Sequence, residues 1–351
     1  MPATASRPRI AVLVLSWFGA SVLAISSAKR ILSVAPCPAT LCFVQFGTAA
    51  LGARLLQRLG WLAQQPFISR DAPDNWLVAS VSASYSSGFL LTNAAIAVSA
   101  PSLVETFKAA EPLSTVALAF VALREREHAL TYASLVPIVV GVAIASSSPT
   151  TFSAWGMALS LLSNFAFSAR AIFTKALKRH HPTAAASSSD AVLFYRVSSL
   201  GSLMLLPFAL VFEARTLLRL LAQNVSAGSF SSVGSFSSSS SSSSSVGGGD
   251  DGVALLPLLG WVLLNGVSHA AYNGVSFAVL GRVSVSSHAV LNIVRRIVCI
   301  AAAAILFSTP VTLFNWMGVI VAAAGVGAFA RSKELPRPIR DYRLHGKARA
   351  V

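Results

Sequence analysis

The chain has 351 residues, of which 54% are hydrophobic and 11% are charged, and its mean hydropathy is +0.68. Because a soluble domain carries about a quarter charged residues, this composition excludes an ordinary water-soluble fold and indicates an integral membrane protein. The formal net charge of +15 does not indicate nucleic-acid binding, since the basic residues are neither clustered on one soluble domain nor interleaved with stacking aromatics.

Ten apolar segments follow one another along the chain, and each is about long enough to cross a bilayer as a helix. They predict an all-α membrane protein with ten transmembrane helices. The segments are 10–27, 39–59, 75–97, 101–123, 129–147, 154–174, 190–212, 253–279, 287–308 and 311–330.

The first apolar segment begins within ten residues of Met1. This start leaves no room for a long transit peptide, and Lys29 and Arg30 at its far end argue against a cleavable secretory signal. We therefore expect the chain to insert through its own first helix.

Basic residues between the segments predict the topology. With the N-terminus in the cytosol, Arg124, Arg126, Lys175 and the tail from Arg331 fall on the cytosolic side, whereas the other side receives little beyond Arg215 and Arg219. The positive-inside rule therefore puts both termini, including a basic tail over 331–351, on the cytosolic face or its topological equivalent.

Residues 224–252, between the seventh and eighth segments, are dominated by Ser and Gly, with an unbroken serine run from Ser237 to Ser245. Such a stretch buries too little apolar area to offset its ordering entropy, so we expect a disordered loop. Its single sequon at Asn224 matters only if the loop faces a glycosylating lumen, and a chance match is the simpler interpretation.

A weak internal repeat divides the chain into two halves, 10–147 and 154–330. The run Val98–Ser102 followed by Lys108 resembles Val283–Ser287 followed by Arg295 and Arg296, at an offset of about 185 residues. Five segments in each half invert the second copy relative to the first. The sequence therefore predicts two inverted five-helix repeats, with a substrate site near the membrane midplane between them.

Lys108, Arg295 and Arg296 lie deep inside apolar segments, where an ionisable group costs several kcal/mol without a partner or a wet cavity. Their placement favours a bound anion. For Lys108 the alternatives are snorkelling to the interface or a helix-surface pair with Glu111. Glu105 and Glu111 either neutralise Lys108 in the empty carrier or form hydrogen bonds within the bundle, and the sequence does not decide between these.

Other polar residues have simpler interpretations. Lys29 and Arg196 lie close to segment ends and are interpreted as structural. His269 and His288 are placed near segment edges as packing residues, and the three cysteines as apolar filler without metal-site spacing. No nucleophile elbow, P-loop or metal-ligand spacing is present, so the sequence predicts neither an enzyme nor a cofactor.

Four motifs together resemble one known family: Thr106–Pro112 (TFKAAEP), Leu135–Val142 (LVPIVVGV), Ser163–Arg170 (SNFAFSAR) and Ser287–Arg296 (SHAVLNIVRR). The chain is similar to the triose-phosphate translocator family, which lies within the drug/metabolite transporter superfamily. The resemblance covers about residues 10 to 332 except the Ser-rich loop.

This resemblance implies an antiporter that exchanges inorganic phosphate for phosphorylated three-, five- or six-carbon compounds. The family holds phosphate with a lysine of the fourth span and a Lys-Arg pair of the ninth, which correspond to Lys108, Arg295 and Arg296. The pair is Arg-Arg in this chain. The change keeps the charge, but Arg and Lys differ in reach and in donor geometry.

The resemblance also assigns substrate contacts to Arg170, Thr92 and Tyr272, for which a structural pairing or helix-packing role is the alternative. Some members carry a histidine at the position of Phe89, where it contacts the organic part of the substrate. Phosphoenolpyruvate-type members lack that histidine and have a Thr-Asn pair that matches Thr92-Asn93. This departure favours a three-carbon acid such as phosphoenolpyruvate over triose phosphate.

Two alternatives stay open from the sequence alone. A nucleotide-sugar transporter of the Golgi or endoplasmic reticulum shares the predicted fold and antiport logic, and a membrane receptor or scaffold without transport activity is a further class. The resemblance implies a plastid envelope or complex-plastid membrane, with the Golgi or endoplasmic reticulum as the alternative location.

Overall fold

The computed structural model describes residues 7–60, 75–124, 127–147, 152–180, 190–226, 255–280, 282–283 and 285–333. Within these ranges all regular structure is helical, as the sequence predicts, and a helix occupies each of the ten apolar segments. The helices are α1 (Arg7–Val34), α2 (Pro38–Arg58), α3 (Asn75–Val98), α4 (Pro101–Lys108), α5 (Glu111–Leu123), α6 (Ala129–Ala145), α7 (Ala154–His180), α8 (Asp190–Phe208), a π-helix (Ala209–Glu213), α9 (Ala214–Ser226), α10 (Leu255–Leu280), α11 (Val285–Leu306) and α12 (Leu313–Ser332).

Five of the described helical stretches are long and apolar enough on their own to cross a membrane. Their outward surfaces carry large exposed apolar side chains, which an aqueous environment does not favour. These stretches are Ile10–Val34, Pro38–Arg58, Ala154–Leu177, Leu193–Ala222 and Leu313–Ser332.

The fourth apolar segment is broken rather than continuous. Helix α4 ends at Lys108 and α5 begins at Glu111, with Pro112 in the first turn of α5, where its missing N–H costs nothing. The break places Lys108 at a helix C-terminus and Glu111 at a helix N-terminus. Each charge thus has the sign that the nearby helix dipole favours.

The seventh segment is longer than predicted. Helix α8 passes through a π-helix that ends at Glu213 and continues as α9 to Ser226. The prediction of a disordered loop is therefore wrong for residues 224–226, which are helical, while 227–252 lie outside the described residues. Similarly, the predicted tail begins inside α12, and its residues from 334 onward lie outside the described part of the chain.

Contacts between helix ends indicate that successive transmembrane segments cross the bundle in alternating directions, since the end of α1 contacts the end of α3 and the start of α12 contacts the end of α6. The most extensive contacts join α6 with α12, α3 with α7, α1 with α10, and α2 with α8, and α4 packs on α11. The terminal side is defined here as the end where α1 begins and α12 ends. The opposite end, where α1 ends and α2 begins, is called the distal side.

Two ionic side chains, the half-buried Lys29 and the buried Glu213, hold helices together at the distal side. The Lys29 ammonium donates to the carbonyl oxygens of Ile96, at 2.9 Å, and Ser99, at 3.1 Å, at the C-terminus of α3. The Glu213 carboxylate accepts from the backbone N–H of Ala39, at 2.8 Å, and of Thr40, at 2.7 Å, at the start of α2. Both are charge-assisted caps on helix ends, in line with the structural role predicted for Lys29.

Helices α6 and α12 approach so closely that their backbones touch. A Cβ atom added at Gly141 would lie 2.3 Å from the backbone nitrogen of Ala322, and one added at Gly318 would lie 2.3 Å from that of Ala145. Small residues on both helices permit this approach, which is typical of helix pairs in membranes. The contact joins the fifth helical segment of the first half to the last segment of the second.

We expect Gly318→Val to destabilise the protein, because a side chain at this position overlaps backbone atoms that cannot move independently. The expected loss is about 1–3 kcal/mol in the free energy of unfolding, measured as a lower apparent Tm of the purified protein in detergent. Gly327→Val on the same helix is the matched control, since nothing lies within 4 Å of the added Cβ there. Equal apparent Tm values for the two variants would contradict the proposed backbone contact.

Candidate anion-binding site

A cavity of about 610 Å³ lies between the α4–α5 break, α11 and α12. Lys108, Glu111 and Arg296 line its inner end, and Lys333, just beyond α12, lines the end nearest the terminal side. Two residues that the sequence predicts as phosphate contacts, Lys108 and Arg296, therefore face the same space. The remaining wall is mostly apolar.

Arg296 is held between two carboxylates from the first half of the chain. Its Nη2 donates to Glu111 Oε2 at 2.8 Å and its Nη1 lies 3.5 Å from Glu105 Oε2. The sequence leaves open whether these glutamates neutralise Lys108 or form bonds elsewhere in the bundle, and these contacts answer part of that question. Their direct partner in the described structure is Arg296 on α11 and not Lys108 on α4.

Lys108 is buried and makes weaker contacts. Its Nζ lies 3.3 Å from the Thr92 hydroxyl, which donates to the Gly88 carbonyl oxygen at 2.8 Å and lies 2.9 Å from the Ser163 hydroxyl. The ammonium also lies 5.0 Å from the centre of the Phe167 ring, in a cation–π position. Among the residues that the structure describes, no carboxylate is within ion-pair distance of Lys108, so its charge stays available to a ligand.

Arg295 faces a different direction from Arg296. Its Nε donates to Asn292 Oδ1 at 2.9 Å, its Nη1 lies 3.8 Å from Cys299 Sγ, and its guanidinium lies 5.9 Å from the Trp17 ring of α1. Neighbouring residues on a helix leave it about 100° apart, and in this structure only Arg296 of the pair lines the cavity. Arg295 is absent from the cavity wall, although its charge acts on the site from behind.

A further cation, Arg170 of α7, lies near Lys108 against an aromatic layer, which consists of the rings of Tyr85, Phe89, Phe167, His269 and Tyr272. Its guanidinium is 4.9 Å from the Tyr85 ring and 5.9 Å from the Phe167 ring, which it shares with Lys108. Its buried Nε has no hydrogen-bond partner in the described part of the chain. A buried donor without a partner is rare, and an acceptor on a ligand is one way to satisfy it.

Phe89 and Tyr272 belong to the same aromatic layer, joined through His269. The His269 ring centre lies 4.7 Å from that of Phe89 and 5.3 Å from that of Tyr272, both in edge-to-face geometry. His269 is 2% exposed, inside α10. Its predicted place near a segment edge is wrong, because α10 extends well beyond it on both sides.

The predicted site residues therefore fall into two adjoining groups. Lys108 and Arg296 line the cavity, whereas Thr92, Phe89, Arg170 and Tyr272 form or border the aromatic layer, and Lys108 contacts both groups. Arg295 lies outside the cavity wall. Three residues of the layer, Tyr85, Phe167 and His269, are not among those predicted from the sequence. The one sequence feature that could have indicated them is their helical spacing from predicted site residues.

Among the described residues, the cysteines and the possible metal-ligating side chains form no second site. Cys37, Cys42 and Cys299 are buried and unpaired. Across the described ranges, no group of three His, Cys, Asp or Glu residues is arranged to hold a metal ion.

A family model described as the Triose-phosphate Transporter family matches residues 8–330. The chain belongs to this family. The resemblance drawn from the four sequence motifs is thereby confirmed, and since the family consists of transporters, the protein is a membrane transport protein and not an enzyme.

Individual relatives are similar over most of this chain. Phosphoenolpyruvate/phosphate translocator 3, chloroplastic, of Oryza sativa subsp. japonica is 28% identical over 94% of this chain and 76% of the relative. Phosphoenolpyruvate/phosphate translocator 2, chloroplastic, of Arabidopsis thaliana is 27% identical over 88% and 72%. Triose phosphate/phosphate translocator, non-green plastid, chloroplastic, of Brassica oleracea var. botrytis is 27% identical over 88% and 69%.

We expect Arg296→Gln to destabilise the substrate-free protein, because it leaves two carboxylates without their cation. The expected loss is about 2–3 kcal/mol, below the value for a fully buried pair because the Glu111 side chain is 32% exposed. The apparent Tm in detergent measures it. Adding Glu105→Gln to the same chain removes one unpaired charge and should recover part of the loss. A double variant no more stable than the single one would contradict the pairing.

Proposed function

We propose that the protein is an antiporter that exchanges inorganic phosphate for a phosphorylated three-carbon compound by alternating access. The observation that carries the proposal is the shared cavity of Lys108 and Arg296 at a break in a membrane helix. These two cations come from opposite halves of the chain. A dianion between them is held by both halves at once.

The two cations offer different contacts to phosphate. Arg296 presents a planar donor fork suited to bidentate binding, and Lys108 presents a compact ammonium with no carboxylate bound to it. To bind phosphate through its Nη groups, Arg296 must exchange at least part of its bonding to Glu105 and Glu111. Arg295 adds positive potential from behind without touching the ligand.

The same electrostatics favours exchange over net flux. Three cations and two carboxylates surround the cavity end, so an empty carrier that occluded the site would desolvate uncompensated positive charge. An incoming anion compensates that positive charge. We therefore expect the carrier to cross the membrane mainly with substrate bound, in either direction.

The organic part of the substrate lies, in this proposal, toward the aromatic layer. Arg170 has an unsatisfied Nε there, which suits a second anionic group such as a carboxylate. Phe89 supplies an apolar ring instead of a polar contact. These features support a phosphorylated three-carbon acid such as phosphoenolpyruvate, and the names of two similar proteins from rice and Arabidopsis support the same class.

We infer further that the two five-helix halves are inverted repeats. The pairing of helices supports this, because exchanging each segment with the one five places later preserves the most extensive contacts. The contact of α3 with α7 becomes that of α10 with α1, and α2 with α10 becomes α8 with α3. The pairs α2 with α8, α6 with α12 and α4 with α11 map onto themselves.

The cavity near the terminal side and the Lys29 and Glu213 hydrogen bonds at the distal side support a state of an alternating-access cycle that is open to the terminal side. The cavity runs from Lys108 to Lys333 near the terminal side, whereas the Lys29 and Glu213 caps hold helices together at the distal side. Substrate would thus enter from the terminal side in this state. The positive-inside rule assigns that side to the cytosol.

The proposed location is a plastid envelope or a complex-plastid membrane. The similar proteins from rice, Arabidopsis and Brassica are named as chloroplastic, and the apolar helices suit any bilayer. A Golgi or endoplasmic reticulum location belongs to the alternative of a nucleotide-sugar transporter.

Transport by the purified protein in liposomes tests the proposal. Liposomes loaded with phosphate should take up labelled phosphate many-fold faster than unloaded ones, and phosphoenolpyruvate inside should replace the phosphate load. Lys108→Gln should abolish exchange of every phosphorylated substrate, because it removes the cation with no carboxylate partner. Lys175→Gln on α7, away from the cavity wall, is the control and should keep exchange. Exchange with nucleotide sugars alone, or normal transport by Lys108→Gln, would overturn the assignment.

Replacement of the Phe89 ring tests where the organic part lies. Phe89→His adds a hydrogen-bonding group next to His269 and Tyr272, so the ratio of exchange rates should shift from phosphoenolpyruvate toward triose phosphate by about tenfold, the worth of one good hydrogen bond. Phe89→Leu keeps the site apolar and is the matched control. An unchanged ratio in Phe89→His, with phosphate self-exchange intact, would remove the aromatic layer from the substrate site.

A further inference from the structure

We propose that Glu105 is a proton-binding site that fills when phosphate occupies the cavity, so that each phosphate is carried together with a proton. The proposal rests on the proposed function, since it requires phosphate to bind at Lys108 and Arg296. The chain then has two kinds of ligand, an anion and a proton, bound at neighbouring but different groups.

Among the described residues Glu105 has one ion pair, a long one with Arg296, while Lys108 and Arg295 attract its carboxylate from a greater distance. Its side chain is 5% exposed, and its Oε2 lies 3.5 Å from Arg296 Nη1. Glu111 holds the same guanidinium at 2.8 Å. When Arg296 turns its donors to a phosphate, the longer contact with Glu105 is the first to be lost.

Access to water distinguishes the two glutamates. Glu111 lines the cavity and its side chain is 32% exposed, so water can solvate its charge after Arg296 moves. Glu105 is not part of the cavity wall. When Arg296 turns away, Glu105 keeps only the longer-range attraction of Lys108 and Arg295, and the phosphate competes for both. A carboxylate in so dry a site is destabilised, and taking up a proton removes that cost.

The net charge around the cavity also favours Glu105 as the group that takes up a proton. Lys108, Arg295 and Arg296 carry three positive charges and the two glutamates carry two negative charges, which leaves one positive charge in excess. A phosphate dianion turns that excess into one uncompensated negative charge. One proton on a carboxylate restores neutrality, and the drier of the two carboxylates receives it.

The ionisable groups that act on Glu105 lie on its own helix and on the helices around it. They are Lys108 on α4, Glu111 on α5, Tyr272 on α10, and Arg295, Arg296 and Cys299 on α11. The charge count above includes the charged groups nearest to Glu105. Arg170 on α7 is a further cation, but its guanidinium lies over Tyr85 and Phe167 and makes no described ion pair with either glutamate. In this proposal Arg170 balances the second anionic group of an organic substrate. Binding of phosphate and binding of a phosphorylated acid therefore each require one proton at Glu105.

This site would make the pH difference across the membrane a driving force for any net phosphate movement. In one-for-one exchange the protons carried by the two substrates cancel. Protonation also converts the Glu105 carboxylate from an acceptor into a group with one O–H donor, which removes its repulsion toward the phosphate. The proton comes from the aqueous phase on binding and returns there when phosphate leaves.

Proton uptake on binding is measured by titrating the full-length purified protein with inorganic phosphate in a calorimeter. Pairs of buffers with different ionisation enthalpies, at a pH where free phosphate is mostly the dianion, report the protons taken up. We expect about one proton per phosphate for the unmodified protein. Glu105→Gln should still bind phosphate but take up almost none. Glu127→Gln is the matched control, since Glu127 is a buried carboxylate paired with Lys333, and it should behave like the unmodified chain.

The outcomes separate this inference from the proposed function. Phosphate binding without proton uptake, or equal uptake by Glu105→Gln and the unmodified protein, overturns the proton site and leaves the antiporter proposal intact. The second result would mean that phosphate itself takes up the proton. No phosphate binding by the unmodified protein would overturn the proposed function, and the proton site with it.

Discussion

Permanent positive charge inside a low-dielectric bundle is the constraint on which the rest of the structure depends. Each embedded cation needs an electrostatic partner, and the molecule supplies a different one to each. Arg296 has two carboxylates, Lys108 has a hydroxyl and a ring, and Arg295 has an amide oxygen, a sulfur and the Trp17 ring. Only the first of these arrangements brings full opposite charge. The charges of Lys108 and Arg295 are therefore not fully compensated and attract an anion, whereas the ion pairs of Arg296 stabilise the empty site.

The α4–α5 break makes this arrangement accessible to a ligand. A continuous helix through 101–123 would keep Lys108 and Glu111 on one helix face, within reach of each other. Around the interruption at 109–110, Glu111 pairs with Arg296 on α11, and Lys108 contacts Thr92 on α3. The two opposite charges, three residues apart, thus have different partners, and both line the cavity.

Much of the fold follows from the sequence because lipid leaves few alternatives to an apolar helix, and all ten predicted segments are helical. The embedded cations could also be found, since the cost of their burial is visible in composition. Four features could not be found from the sequence. The rotation that turns Arg295 away from the cavity depends on the packing of α11 against α1, and the pairing of Glu105 with Arg296 joins residues 191 positions apart. The burial of His269 depends on the rings of Phe46 and Phe89 on other helices, which the predicted segment 253–279 does not reveal. Helix 214–226 continues into residues whose composition alone favours disorder.

The touching backbones of α6 and α12 have a consequence for how the halves can move. Two helices in contact at Gly141 and Gly318 cannot slide along each other without driving side chains into backbone atoms, but they can rotate slightly about the point of contact. The pair is then a fulcrum located at one edge of the molecule, beside α11 and the cavity. Displacements during a transport cycle should be smallest near this edge and largest across the bundle, at α2 and α8, so that a probe pair at the far edge would report the cycle with the greatest amplitude.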